Sequence, residues 1–126
     1  MRSVGFDLVE VGRISRSLEN PRFLNRVFSP AEREAYAGRG RPARSYAAAF
    51  AAKEAFAKAV GTGFRGFSLT DVELLHDRLG APFLRLNGGA MHIAGEKRLK
   101  FSVSLTHTET VAGAVVIAFS DDESNR

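Results

Sequence analysis

The chain has 126 residues, of which 44% are hydrophobic and 25% charged, a composition typical of one folded domain. It contains no cysteine, which excludes a disulfide framework and a zinc site built from thiolates. No apolar run approaches the roughly 20 residues of a membrane span, and the first residues do not form a signal peptide, so we expect a cytoplasmic protein without a membrane partner.

The positive charge is concentrated in one part of the chain. The formal net charge is +4, and residues 13–44 contain eight arginines against three glutamates, which accounts for the whole excess. Such a region predicts an acidic partner, which could be nucleic acid, an acidic protein or phosphate groups. The alternative interpretation is a solvated surface without a partner.

The first third of the chain predicts one strand and three short helices. Side chains alternate in character over residues 4–9, as expected for a strand. Helices are predicted over 13–18 and 22–27, both with outward arginines. A third helix should begin at residues 29–32, where a serine cap, a proline and a glutamate occur in order, and end near Gly38.

A long helix is predicted from about Ala43 to Val60, after a basic loop at 39–42. Glu54 and Lys58 are four residues apart and therefore share one margin of this helix. Taken alone, they could be a surface ion pair worth roughly 0.2–1 kcal/mol. The apolar stripe of the helix comprises Tyr46, Phe50, Phe56, Ala57 and Val60.

The second half of the chain predicts mainly antiparallel strands. Residues 69–75 and 82–86 are expected to form a hairpin, followed by a short helix over 90–98. Strands over 101–107 and 111–119 should pair across a tight turn. We expect one domain over residues 1–120 and a polar tail at 121–126.

Oxygen ligands for a hard cation are the most specific chemical feature. Aspartate is depleted in strands, yet Asp7 lies within the first strand, on the face opposite Val4, Phe6 and Leu8. Mg²⁺ is held by one or two carboxylates together with waters and substrate phosphates, which suits Asp7 and Glu54. Near Glu54, two lysines and a glycine turn indicate phosphate binding; these residues are Lys53, Lys58, Gly61 and Gly63.

The histidines do not indicate a transition metal. His76, His92 and His107 lack the spacing of a helical zinc pair. His107 ends a predicted strand, where it is either partly buried and satisfied by a hydroxyl or in contact with a phosphate. The sequence leaves both interpretations open.

Several motifs, in this order and spacing, resemble those of the holo-acyl carrier protein synthases, the short type of 4'-phosphopantetheinyl transferase. The motifs are Gly5–Asp7 with Arg13–Ile14, Phe50–Ala55 with Lys58 and Gly61–Gly63, and Ser102–Thr108. The resemblance covers residues 4 to about 118. It implies an α+β fold in which a small antiparallel sheet packs against a long central helix.

The resemblance also implies an activity in fatty acid biosynthesis. The 4'-phosphopantetheine group of coenzyme A would pass to a serine of an apo acyl carrier protein, releasing adenosine 3',5'-bisphosphate. Asp7 and Glu54 would bind Mg²⁺, and Lys58 would stabilise or protonate the leaving group near the phosphates. The base that activates the serine stays open among Glu54, Asp7 and a metal-bound water.

Further contacts with coenzyme A follow from the same resemblance. Besides Lys58, the cofactor-binding residues would be Gly61, Thr62, Gly63, Ser104, Thr106 and His107. Many relatives have an arginine before the Phe50–Ala55 motif, where this chain has Ala49, so one phosphate contact is missing. Arg41 or Arg44 could replace it, or coenzyme A could bind more weakly through its 3'-phosphate.

The resemblance implies that the arginine-rich region binds the acyl carrier protein, because acyl carrier proteins are acidic. The expected docking residues are Arg13, Arg16, Arg22 and Arg26, with Phe23 as an apolar anchor. The family also implies a homotrimer with active sites between subunits. Two alternatives remain: a basic nucleic-acid-binding module, which would not explain Asp7 and Glu54, and a carrier-binding domain without catalysis. We favour the enzyme, with no nucleic-acid partner.

Overall fold

The computed structural model describes residues 2–121, which form an α+β fold with two antiparallel sheets and a long central helix. The elements are β1 Ser3–Glu10, α1 Val11–Ser17, α2 Pro21–Val27, α3 Pro30–Ala37, α4 Pro42–Val60, a 3₁₀ helix Leu69–Asp71, β2 Val72–His76, β3 Pro82–Leu86, α5 Gly88–Lys97, β4 Leu99–His107 and β5 Val111–Ser120. The expected fold class is confirmed. Most of the predicted tail, residues 122–126, lies outside the described residues. No helix within residues 2–121 is long and apolar enough to cross a membrane.

The main sheet has the strand order β1-β5-β4, and both pairings are antiparallel. Asp7 is paired with Ala114, and Thr106 with Gly113, so β5 separates the two strands that carry candidate site residues. Strands β2 and β3 form a separate two-stranded sheet. The hairpin that the sequence predicts from 111–119 back to 101–107 is confirmed.

Helix α4 lies in the centre of the molecule and is buried on more than one face. Its length of 19 residues corresponds to about 28 Å, at a rise of about 1.5 Å per residue. The predicted single apolar stripe was too narrow, because alanines outside it are also buried. They are Ala47, Ala49, Ala51, Ala52, Ala55 and Ala59. Small side chains allow a strand and other helices to approach this helix closely.

Strand β1 packs directly on α4 through Gly5. A Cβ atom built on Gly5 would lie 1.8 Å from the backbone oxygen of Ala55 and 2.7 Å from the amide nitrogen of Ala59. The hydroxyl of Ser3 donates a hydrogen bond to the backbone oxygen of Ala59. The backbone of the strand therefore touches the backbone of the helix.

The contact at Gly5 explains which face of β1 is buried. Asp7 lies on the same face as Gly5, whereas Val4, Phe6 and Leu8 lie on the opposite face, as predicted from their alternation. That opposite face is turned away from the helix, and the three side chains are 53%, 50% and 58% exposed. The strand thus leaves its largest apolar groups uncovered.

A buried ion pair joins α3 to α4. Lys53 and Glu32 are completely inaccessible, and the Lys53 Nζ atom lies 2.8 Å from Glu32 Oε1. Lys53 also donates to the backbone oxygens of Leu69 and Val72, and Glu32 accepts from the amide of Leu74. Burial lowers the pKa of Lys53, and the adjacent Glu32 carboxylate opposes that shift. Removing one member of such a pair typically costs about 3–5 kcal/mol.

The predicted strand 69–75 begins later than expected. Leu69–Asp71 form a 3₁₀ helix, and the strand starts at Val72. The reason is a local cap in which the amide of Ser68 donates to the Asp71 carboxylate at 3.0 Å. Short polar side chains of this kind compete with strand pairing for backbone groups.

The Gly5 contact predicts a large effect of one methyl group. Gly5→Ala should lower the free energy of unfolding by at least about 1–3 kcal/mol, because the methyl group meets helix backbone that cannot yield. Urea denaturation followed by circular dichroism would measure the loss. Gly38→Ala is the matched control, since no atom of residues 2–121 lies within 4 Å of a Cβ there. Equal stability of the two variants would contradict the backbone contact.

Candidate active site

Strand β1 and helix α4 bring together the acidic and basic residues that the sequence singled out. The Lys58 Nζ atom lies 3.2 Å from Asp7 Oδ1 and donates to the backbone oxygen of Phe6 at 2.8 Å. Glu54 lies one helical turn before Lys58. The lysine side chain is 55% exposed and that of Asp7 only 19%. These three charged side chains therefore border a surface site with the carboxylates on its inner side.

The two carboxylates repel each other within this site. Burial raises the pKa of Glu54 above its ordinary value, and the negative charge of Asp7 raises it further. Lys58 and Arg13 lower the pKa of Glu54, but the effects of burial and of Asp7 are larger. The site therefore favours an added positive charge.

A hard divalent cation fits this donor set. Within residues 2–121 no group of three or more histidine, cysteine, aspartate or glutamate side chains converges, so these residues form no cage made of protein ligands alone. Magnesium does not need one, because it binds through one or two carboxylates and keeps several waters or phosphate oxygens. Asp7 and Glu54 offer that number of carboxylates.

The grouping of Lys53 with these residues was wrong. The sequence suggested two ammonium groups at the site, but Lys53 is buried with Glu32 on another side of the helix. Consecutive helix residues are separated by about 100°, so Lys53 and Glu54 project in different directions. Lys58 is the lysine of α4 that reaches the carboxylate on β1.

The predicted glycine turn ends α4. Gly61 has φ 88° and closes the helix by donating from its amide to the backbone oxygen of Ala57 at 3.1 Å. Gly63 also has positive φ, at 63°, and Thr62 lies between the two. The turn lines an open groove formed by residues 61–66. Both glycines are needed for backbone conformation, because nothing crowds a Cβ at either position.

A basic pocket of about 350 Å³ lies beside the opposite end of α4. Among the residues that the structure describes, the charged and imidazole side chains lining it are all basic and none is a carboxylate. They are Arg39, Arg41, Arg44, His76 and His107. Thr106 is also in the wall. The sequence did not connect Arg39 or His76 with His107, because the three come from separate segments of the chain.

The structure places the predicted cofactor residues in different parts of the molecule. Thr106 and His107 line the basic pocket, whereas Gly61–Gly63 lie at the other end of α4. His107 is exposed, so the partly buried interpretation was wrong. Ser104 is exposed on the outer face of the sheet, two residues before Thr106, and is not among the residues lining the pocket. Only an extended ligand could contact both ends of the helix.

The arginines predicted to dock a partner are all exposed: Arg13, Arg16, Arg22 and Arg26. Phe23 is half-buried, with its ring centroid 6.0 Å from that of Phe28 and 6.1 Å from that of Phe50. Arg22 and Arg26 border a groove whose other wall contains Phe64, which is 37% exposed. Phe64 is therefore more accessible to an apolar group of a partner than Phe23, the anchor predicted from the sequence.

The fold and this site define the class of protein. Residues 3–118 match the family model of the 4'-phosphopantetheinyl transferase superfamily, and the chain belongs to that family. It is 42% identical, over 96% of its length and 97% of the relative's, to the holo-[acyl-carrier-protein] synthase of Caldanaerobacter subterraneus subsp. tengcongensis. It is 45% identical to the protein of that name from Syntrophus aciditrophicus, over 93% of this chain and 94% of the relative.

Solved structures agree with these sequence matches. The holo-[acyl-carrier-protein] synthase of Neisseria meningitidis superposes with a TM-score of 0.88 at 34% identity, over 95% of this chain and 99% of that one. The Helicobacter pylori synthase, solved in complex with coenzyme A, gives a TM-score of 0.80 at 28% identity, covering 92% and 99% of the two chains. The resemblance read from the motifs is therefore confirmed.

The repulsion between Asp7 and Glu54 predicts a stability effect. Because the pKa of Glu54 is raised in the folded state, ionising Glu54 costs stability as the pH rises through that pKa. Glu54→Gln should therefore raise the free energy of unfolding at pH 7 without divalent cations, by up to about 1 kcal/mol after solvent screening. The gain should disappear near pH 4, where Glu54 is protonated. Urea titrations at both pH values would test this, and a loss of stability at pH 7 would contradict it.

Proposed function

We propose that the protein is a holo-acyl carrier protein synthase that transfers 4'-phosphopantetheine from coenzyme A to a serine of apo acyl carrier protein. The observation on which this depends is the convergence of Asp7, Glu54 and Lys58 on one surface site. Family membership and relatives named as holo-[acyl-carrier-protein] synthases support the same reaction. The coenzyme A complex of the H. pylori relative supports the donor substrate.

The reaction exchanges one phosphorus–oxygen bond for another. The serine oxygen bonds to the phosphorus that carries pantetheine, and the bond to the other phosphate breaks, which releases adenosine 3',5'-bisphosphate. The transition state carries spread negative charge, so catalysis depends on positioning and on cationic groups. Asp7 and Glu54 would hold Mg²⁺, whose chemistry when bound is to neutralise charge on the pyrophosphate.

The contacts and exposure of Lys58 support a role as the partner of the leaving group. Its ammonium group is held by Asp7 and the backbone oxygen of Phe6, yet half of the side chain is open to solvent. A phosphate oxygen approaching the carboxylate pair would meet this ammonium group, which would stabilise the developing charge or donate a proton. The proton of the serine hydroxyl would pass to Glu54, to Asp7 or to a water molecule at the site.

The basic pocket suits the 3'-phosphate of coenzyme A. Ala49, at the position where relatives often have an arginine, is fully buried and offers no contact. Arg41 and Arg44 line the pocket together with His107, and they are our candidates for the missing cation. Arginine binds phosphate through paired N–H groups, which a point charge cannot match.

The acidic carrier protein would dock on the exposed arginines. Opposite charges steer the encounter of two proteins and are screened by salt beyond about 8–10 Å. The groove between Arg22 and Phe64 adds an apolar surface beside the positive charge. This combination fits an acidic helix with an apolar ridge.

The outer face of the main sheet would form the subunit interface of a homotrimer. Val4, Phe6 and Leu8 on β1 adjoin Ile117 on β5, which is 36% exposed. Exposed apolar patches of neighbouring side chains mark interaction surfaces. Association of subunits would bury this face.

Intact mass of an apo carrier protein, after incubation with this protein, coenzyme A and Mg²⁺, tests the proposed reaction. We expect the carrier to gain the mass of one phosphopantetheine group. Glu54→Ala or a chelator should reduce the rate of transfer at least about 100-fold, which is typical for the loss of a charge-stabilising group. Lys58→Met should lower kcat more than it raises the KM for coenzyme A. No mass gain on several apo carriers, with the protein folded, would refute the proposal.

The same assay, run against carrier concentration, tests the docking surface. Arg22→Ala and Arg26→Ala should raise the KM for the carrier and weaken its salt dependence, while kcat at saturating carrier stays close to wild type. Arg78→Ala removes an exposed arginine from the β2–β3 turn and serves as the control. An equal effect of all three variants would count against specific docking.

Light scattering tests the assembly. The wild-type protein should have about three times the 13.7 kDa mass of one chain. Phe6→Glu should dissociate it, because a charge in the centre of the apolar face would be costly to bury. Met91→Glu introduces the same charge at another exposed apolar residue and should leave the mass unchanged. A monomeric wild-type protein would overturn the trimer.

A further inference from the structure

The basic pocket is partly neutralised by a residue that does not line it. Glu109 lies in the turn between β4 and β5, and its Oε1 atom is 2.8 Å from a terminal nitrogen of Arg44 and 3.4 Å from one of Arg41. Both arginines line the pocket, whereas Glu109 does not. One carboxylate oxygen therefore bridges two of the three pocket arginines.

The turn holds Glu109 close to the arginines without burying it. The Thr108 amide donates to the backbone oxygen of Val111 at 2.8 Å, and the Thr108 hydroxyl accepts from the amides of Thr110 and Val111 at 3.3 and 3.1 Å. These bonds fix the backbone on both sides of Glu109. Its side chain is nevertheless 76% exposed and can turn away into solvent.

A carboxylate and a phosphate compete for the same guanidinium groups. Both accept paired N–H bonds from arginine, and the phosphate carries more charge. An anion that enters the pocket therefore has to take Arg41 and Arg44 from Glu109. The contact lies at the surface, where ion pairs are weak, so it can lower the affinity a few-fold without preventing binding.

We propose that Glu109 is an intramolecular competitor that sets the affinity of this pocket for a phosphomonoester. The inference rests on the proposed function, in which that phosphomonoester is the 3'-phosphate of coenzyme A. Glu109 then determines how strongly the enzyme distinguishes coenzyme A from its dephosphorylated form. Position 49 is an alanine, so no arginine at that position offsets the competition from Glu109.

Titration calorimetry with two nucleotides tests this role without any carrier protein. Adenosine 3',5'-bisphosphate presents the 3'-phosphate, and adenosine 5'-monophosphate lacks it. We expect Glu109→Gln to bind the bisphosphate about two- to fivefold more tightly than wild type does and the monophosphate equally well. Glu34→Gln, which removes an exposed carboxylate from α3, should change neither affinity.

A second pair of variants separates competition from a general change in charge. In an Arg44→Gln background, Glu109→Gln should give a smaller gain, because the main partner of Glu109 is already absent. An unchanged or weaker affinity of Glu109→Gln for the bisphosphate would overturn the proposal, and so would an equal gain for both nucleotides. Weaker binding would mean that Glu109 positions the arginines for the ligand.

The outcome is distinguishable from failure of the proposed function. Transfer is measured on the carrier by mass, whereas this test measures nucleotide binding alone. If transfer occurs but Glu109→Gln shows no selective gain, only the role of Glu109 is refuted. If the wild-type protein binds both nucleotides with equal affinity, the pocket does not recognise the 3'-phosphate. The proposed role of Glu109 is then refuted as well.

Discussion

The contact between the backbone of β1 and the backbone of α4 is the constraint on which the rest of the structure depends. Gly5 has no side chain, and the facing positions of the helix are alanines, so the strand lies directly on the helix. That contact decides which face of β1 turns inward. It places Asp7 against Lys58 and leaves the large side chains of the strand on the outside. One glycine therefore determines both the position of a candidate metal ligand and the existence of an apolar outer surface.

The other side of α4 is held by a different interaction. Lys53 and Glu32 form an ion pair without solvent access. Backbone atoms of the 69–74 segment bind both side chains, and Glu32 also accepts from the amide of Ser29 and the hydroxyl of Tyr36. Because the pair connects α4 to α3 and to the 69–74 segment, it orients the helix about its axis. Glu54, the next residue, then faces Asp7. The adjacent residues Lys53 and Glu54 therefore project in different directions, Lys53 into the interior and Glu54 towards the candidate site.

The candidate site extends along much of α4. Glu54 and Lys58 lie in its second half, with Asp7 beside them on β1. The glycine turn follows its last residue, and the basic pocket borders its first half. Coenzyme A is long and has charged groups at several points, so an extended arrangement of this kind suits it better than a compact pocket would. Glu109 adds a negative charge at one end of this arrangement, where the ligand is itself negative.

The sequence by itself determined the local structure. The cap at Ser29, the alternation in the strands and the long helix that carries Glu54 depend on neighbouring residues, and these features were read correctly. Tertiary structure decided what depends on distant residues. Lys53 is buried because Glu32 lies opposite it, and Leu69–Asp71 do not join the strand because of their cap. The arginine pocket and the contact of Glu109 with Arg44 unite segments 65 residues apart in the chain. The periodicity of a sequence indicates only which residues share a face of a helix or strand. Which other element packs against that face depends on the fold of the whole chain.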